Sequence, residues 1–316
     1  MYNNKEFKTL DEQINILEHK GMVIKDREYA KNILLRENYF FINGYRHLFL
    51  KSLDDRKFID NTTFEEVYSL FLYDRKFRNI IFKNLLIIEN SIKSVIAYQL
   101  SKKYGYKETD YLKPNNFTND KDKVKQVNDL IRKMKRQVRN NSAQHSATMH
   151  YVSNYGYIPL WVLVKVLSFG IVGEMYGVLK REDQSAIASI YGLSADELNL
   201  YLPLLANYRN LCAHEDIVYE NRTHREINDT LYHSILGIAK IDGAYVYGKN
   251  DLFAVVIVMK QLLTSEEFKS MAEEINSALK TLEYNLNVIS VDTVLEKMGF
   301  PENWMSLARV TRRDEN

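Results

Sequence analysis

Apolar residues recur at three- and four-residue intervals along most of the chain, the period of a helix with one buried face. Leu10, Ile14 and Leu17 mark a first short helix, stopped by Gly21, and Asp26 caps a second that carries Tyr29, Ile33 and Leu34. Residues 38–50 are dense in aromatics, which reads as core, and Gly44 argues against one continuous helix there. Thr62 and Thr63 each precede a glutamate (Glu65, Glu66) by three residues, the spacing of a capping box. From there Val67, Leu70, Phe71, Phe77, Ile81, Leu85, Ile88, Ile92 and Val95 carry one stripe to about Leu100, and Gly105 closes it. Glu89 and Lys93, four apart beside this stripe, read by themselves as a surface ion pair.

The second half continues in helices. Residues 115–119 read as a loop, and residues 140–157 as a polar, irregular stretch with His145 and His150 as loop histidines. An apolar helix starts after Pro159, runs through Trp161, Leu163, Val166 and Leu167, and is interrupted at Ser168-Phe169-Gly170. Ser194 and Glu197 repeat the capping-box spacing and open a helix toward Leu211, which Pro203 should kink or restart. A weaker helix follows over 227–238, then a turn or short hairpin over 241–250. Helices over 252–263 and 266–282 come next, and a short one lies beyond Val291.

Composition sharpens the fold class. Only 12 Gly and 4 Pro stand among 316 residues, less than half of ordinary usage, which is roughly 12%. Sandwiches, barrels and dinucleotide-binding sheets need those residues at their many turns, so the expected class is all-α. With 46% apolar residues the chain can bury one large core or two closely packed ones. A net charge of +2 singles out no partner, and one cysteine, Cys212, leaves no intrachain disulfide or cysteine-clustered metal site. The first residues lack the apolar run of a signal peptide, and residues 158–172 are too short to span a bilayer, so a cytoplasmic chain without membrane contact is expected.

Two places carry candidate chemistry. Between residues 121 and 139 eight basic side chains (Lys121, Lys123, Lys125, Arg132, Lys133, Lys135, Arg136, Arg139) meet two acidic ones, a local balance of +6. That is either a solvated helix face or a strip that contacts nucleic-acid phosphates. The second place is Arg209-Asn210-Leu211-Cys212-Ala213-His214. It joins an arginine that never titrates, an amide, and a histidine whose ordinary pKa lies near neutrality. On a continuous helix Arg209 and His214 lie about 140° apart, so they converge only if the helix unwinds or a second subunit completes the site. The plain alternative is an Arg and a His that fasten a helix end. The chemical one is RNA cleavage without metal or cofactor. There His214 acts as general base or acid, Arg209 stabilises the phosphate, and Asn210 positions either side chain or donates to the phosphate. Glycine-rich phosphate loops, zinc-binding His-Glu-x-x-His and serine-hydrolase elbows are absent from the sequence.

The Arg209–His214 string resembles the Arg-x4–6-His motif of the HEPN superfamily. Asn38-Tyr39-Phe40 through Gly44-Tyr45, Ile88-Glu89-Asn90-Ser91, Pro159-Leu160-Trp161 and Leu167-Ser168-Phe169-Gly170 stand in the order found in AbiD/AbiF-type abortive-infection proteins. The likeness covers roughly residues 8–235. It implies a HEPN-type helical bundle over 61–240, with an N-terminal helical segment over 1–60 and a C-terminal one over 241–316. It also implies phage defence by a toxin-like endoribonuclease with Arg209, Asn210 and His214 as catalytic group and Glu89 orienting Arg209. One motif per chain implies a homodimer, and a small structured antitoxin RNA is an implied partner, placed here on the basic segment. The sequence departs from many relatives in carrying Glu215 and Asp216 after the histidine, two acids that would repel a phosphate. Two rivals follow from this: an RNA-binding protein that does not cleave, and a scaffold that senses phage through protein contacts.

Overall fold

The computed structural model describes residues 6–52, 54–141 and 145–310. Fifteen α-helices and a two-stranded hairpin occupy them, an all-α fold. In chain order the first helices are α1 (Leu10–His19), α2 (Arg27–Glu37), α3 (Tyr39–Gly44), α4 (Phe64–Tyr104), α5 (Glu108–Tyr111), α6 (Val124–Asn141) and α7 (Ser146–Tyr155). Next come α8 (Leu160–Val166), α9 (Phe169–Gly177), α10 (Arg181–Ala188), α11 (Ala195–Ala213) and α12 (Leu231–Ile235). The antiparallel strands β1 (Lys240–Ile241) and β2 (Ala244–Tyr245) precede α13 (Leu252–Leu262), α14 (Ser265–Asn285) and α15 (Val291–Met298).

The organising element is α4, whose 41 residues span about 60 Å at 1.5 Å per residue. Thr63 caps it by accepting from the Glu66 amide at 3.2 Å. Glu66 does not close a reciprocal box: its buried carboxylate accepts from the amides of Asn287 and Val288 (2.6 and 2.7 Å) and ties the chain after α14 to the start of α4. α14 runs along α4 and buries Phe268, Met271, Ile275, Ala278 and Leu282. α8 and α11 pack on other faces of α4, α9 packs on α11, and α13 lies inside, with residues 252–259 fully buried. The buried apolar side chains join in one cluster that runs from Ile14 to Val310.

Four expectations need correction. Residues 146–155 form α7; it buries only Thr148 and half-buries Ala147 and Tyr151, so its stripe is too faint to read. His150 therefore lies on a helix, and His145 stands at its N-cap position. Pro203 does not restart α11, which runs unbroken through it: it sits on the exposed side, and the Asn199 carbonyl that loses its helical donor belongs to an exposed residue, where the lost bond costs least. The helix expected over 227–238 shrinks to α12: it starts only after Thr230, whose amide donates to His233 Nδ1, and Gly237, at φ +62°, ends it, its amide and that of Ile238 donating back to the Ser234 and His233 carbonyls (both 3.0 Å). Finally, Glu89 and Lys93 are a buried pair rather than a surface one, 6% and 9% exposed.

Candidate functional site

α11 lies antiparallel to α4, so residues late in α11 and just beyond it meet residues ever earlier in α4: Arg209 meets Glu89, Asp216 meets Arg78, and Val218 and Tyr219 meet Asp74. Glu89 is enclosed between two cations. Its Oε1 accepts from Lys93 Nζ at 2.6 Å, and its Oε2 lies 3.4 Å from Arg209 Nε. The Arg209 guanidinium also stands 5.7 Å from the centre of the Phe82 ring, close enough for a cation–π contribution. Only Nε is thus engaged: the two terminal nitrogens of Arg209, on a side chain one-third exposed, have no partner among the described residues. Two cations around one carboxylate leave the cluster with a net positive charge. The Glu89–Lys93 pair also lines a cleft of about 460 Å³ whose other wall is Trp161, Val164 and Lys165 of α8.

The helix stops just before the histidine. Ala213 is the last residue of α11, and His214 is its C-cap. The Asp216 amide donates to the Leu211 carbonyl (3.0 Å) and the Glu215 amide to the Cys212 carbonyl (3.4 Å), the paired bonds of a Schellman ending. Glycine usually occupies the left-handed position of that ending, but here it is Glu215, at φ +57°. The imidazole of His214 and the side chain of Asn210 are exposed and lack partners among the described residues. Arg209 is drawn inward to α4 while His214 stands at the exposed cap, so within one chain the two do not share a face. Cys212 between them is buried, and burial pushes its thiol up to about 12, which makes it a packing residue rather than a nucleophile.

Beneath the motif lies a polar cluster that the sequence did not announce. Asp74, fully buried, accepts from the Tyr45 hydroxyl (2.6 Å), from Arg78, and from the amides of Tyr219 (2.9 Å) and Val218 (3.4 Å). Arg78 reaches on to the Asp216 carbonyl at 3.3 Å. Burial pushes the Asp74 carboxyl up, and Arg78, the Tyr45 hydroxyl and the two amides pull it back. The pair clamps residues 216–219 to α4 and so fixes the direction in which the chain leaves His214. Removing one member of such a pair typically costs ~3–5 kcal/mol, because the other is left charged and buried. Asp74 and Arg78 stand at i,i+4 on the long helix, the one available signal, and that spacing is also the spacing of ordinary surface pairs.

The basic segment forms a three-residue turn (Lys121–Lys123) followed by α6, which buries Val127, Leu130, Ile131 and Met134 against α8 and α9. Its cations face outward, and several are already engaged: Lys123 on the Gly177 carbonyl (3.0 Å), Arg132 on Asp129, Lys133 on Glu174 (2.7 Å). Arg139 is exposed near the end of α6. Lys121, Lys125, Lys135 and Arg136 are exposed and without ion pairs among the described residues. No helix among the described residues is long and apolar enough to cross a membrane.

Fold and site together define an all-α protein in which one bundle helix ends in an Arg-x4-His string, its arginine gripped by a buried carboxylate of the longest helix. The chain belongs to the family of Abi-like proteins, which its residues 32–220, more than half of its length, match. That membership links it to abortive infection, a response to phage. No curated protein and no solved structure matches the chain.

Proposed function

We propose that this protein is a HEPN-type endoribonuclease of the AbiD/AbiF kind, a phage-defence toxin of the cytoplasm. The observation that carries the reading is the half-engaged guanidinium: Glu89 holds Arg209 by Nε and leaves its two-pronged edge for a phosphate. His214, at an exposed helix end, is accessible as the base that takes the proton of a ribose 2′-hydroxyl. The 2′-oxygen attacks the adjacent phosphorus, the bond to the 5′-oxygen breaks, and that oxygen takes a proton from an imidazolium. The products are a 2′,3′-cyclic phosphate and a 5′-hydroxyl, and no metal or cofactor enters. Asn210 is the second phosphate donor. Because Arg209 and His214 occupy different faces of α11, the reading calls for a homodimer in which each subunit supplies what the other turns away; Leu86, Ile87 and Trp161, exposed apolar residues near the Glu89 cleft, are the surface offered for it.

The test is cleavage of total RNA in EDTA by wild type, Arg209→Ala and His214→Ala, with end-group analysis. Cyclic-phosphate ends with wild type alone, at least 100-fold reduced in both variants, are expected, since removing a general base or a charge-stabilising group costs about 10²–10³ each. Intact RNA with folded, dimeric wild type overturns the nuclease. A second reading, RNA binding elsewhere on the protein without cleavage, is favoured by Glu215 and Asp216, both exposed beside His214, where they repel a scissile phosphate. In either reading the outward cations of α6 are the seat for a restraining RNA.

A further inference from the structure

A cavity of about 1060 Å³, the upper size of small-ligand sites, lies away from the Arg-x4-His end, among α1, α2, α3 and the loop before residue 58. We propose that this cavity binds a nucleoside phosphate, with Lys20, Arg46 and Arg56 on the phosphate and the aromatic rim on the base.

Charge is the first argument. Lys8, Lys20, Arg46 and Arg56 line the cavity, and Glu6, on the rim 3.9 Å from Lys8, is the one acid among its lining residues. Lys20, Arg46 and Arg56 form no ion pair among the described residues. Burial and the like charges of Arg46 and Arg56 hold the Lys20 ammonium below the usual lysine range. Such a cluster stands uncompensated at a cost, and a phosphate removes that cost.

Unmet hydrogen bonding is the second. Among the described residues nine buried side-chain polar atoms lack a partner, and three of them belong to this wall: Arg46 Nε, Gln13 Oε1 and Asn43 Oδ1. Buried polar groups are normally satisfied, so a concentration at one cavity marks an absent partner. The Gln13 amide is oriented by its own Nε2, which donates to the Lys8 carbonyl at 2.8 Å, so it is an acceptor that faces inward. A ligand that answers all three brings both acceptors and N–H donors, as a base with an exocyclic amine does. Backbone conformation is the third: Arg56 holds φ +53°, a conformation that favours glycine, and such strain persists where a side chain is needed. The rest of the rim is apolar and aromatic, with Phe7 and Phe40 largely exposed and Tyr39 half-buried, surfaces on which a base stacks at about 1–3 kcal/mol.

The site stands independently of the nuclease reading. It also shares α3 with the motif: Phe40, Asn43 and Arg46 line a second cleft of about 490 Å³ whose opposite wall holds Leu211, Glu215 and Asp216.

Calorimetric titration of the full chain with ADP, GDP, adenosine, pyrophosphate and dodecyl phosphate tests it. At least one nucleotide should bind, with adenosine and pyrophosphate at least tenfold weaker. The double variant Lys20→Gln/Arg56→Gln should lose at least tenfold in nucleotide affinity while it melts within a few degrees of wild type. Phe40→Ala should weaken nucleotide binding and leave pyrophosphate binding as it was. The proposal is overturned by no nucleotide binding at millimolar concentration, by pyrophosphate or dodecyl phosphate binding as tightly as the nucleotide, or by full nucleotide affinity in the double variant.

Discussion

Glu215 shows how much one residue can cost at a helix end. A non-glycine residue in the left-handed region is strained by ~1–2 kcal/mol, and Glu215 offsets little of it, since its carboxylate lies 3.8 Å from Arg75 on a side chain two-thirds exposed. Glu215→Gly should therefore raise stability by about 1 kcal/mol in chemical denaturation, with the Schellman bonds intact. The same substitution removes an acid beside His214, so the variant also reads out whether that acid restrains binding of RNA. An unchanged or lowered midpoint would show that the Arg75 contact outweighs the strain. The neighbouring clamp works the other way: Asp74 is costly to bury, yet it is satisfied from four directions, and so it fixes the backbone after His214 more firmly than any apolar residue could.

At the scale of elements, close approaches decide the junctions. Gly44 ends α3 where an added Cβ would stand 2.5 Å from Ile217 Cδ1, so a side chain there would have to push the tip of Ile217 aside for the first aromatic segment to dock on the chain just beyond the motif. A second junction joins α12, the hairpin and α13 through Gly248. His233 Nδ1 accepts from the Thr230 amide (3.1 Å), which leaves Nε2 protonated to donate to the Gly248 carbonyl (2.9 Å). The Gly248 amide in turn donates to Asp251, the N-cap of α13. Burial lowers the His233 pKa, so the neutral ring contributes stability above the unfolded value near 6.5, and that is lost as the pH falls. Burial raises the Asp251 carboxyl from 3.8 to about 6, the opposite sign: its ionisation destabilises the fold as the pH rises through 4 to 6, and acidification relieves it. The two partly cancel in wild type. Asp251→Asn keeps a capping side chain and removes the relief, so stability should fall more steeply between pH 6.5 and 4 than in wild type. Urea midpoints across that range measure it, and parallel curves would refute it.

At the scale of the whole molecule, the outward side of residues 121–136 is one of the places where cations stand without ion pairs among the described residues, while its ion-paired ones are tied to Asp129 and Glu174. If that face carries RNA, Lys121, Lys125, Lys135 and Arg136 changed together to Gln should weaken binding. They should also flatten the plot of log affinity against log salt by up to about 3, at roughly 0.7 per phosphate released on a single strand. An unaltered slope would place the RNA elsewhere.

The division between what could be read and what could not follows from range. Scarce glycine and proline, the long stripe from Val67 to Leu100 and the Ser194–Glu197 cap are local, set by residues within a few turns, and the all-α class, α4 and the start of α11 follow from them alone. The Abi-like family, too, was legible in the sequence, and its match covers residues 32–220. α7 was not, because a helix that buries one threonine leaves almost no periodic trace, and neither was the late start of the 227–238 helix, before which the Ile227 amide pairs with Lys249, more than twenty positions away. The burial of Glu89 and Lys93 and of the Asp74–Arg78 clamp depends on what packs against α4, which no spacing within that helix encodes, and the contact of Glu89 with Arg209 was expected from the family resemblance alone, not from any spacing in α4 or α11. Helices are local hydrogen-bond ladders and announce themselves; a charge is buried or exposed only by what packs against it.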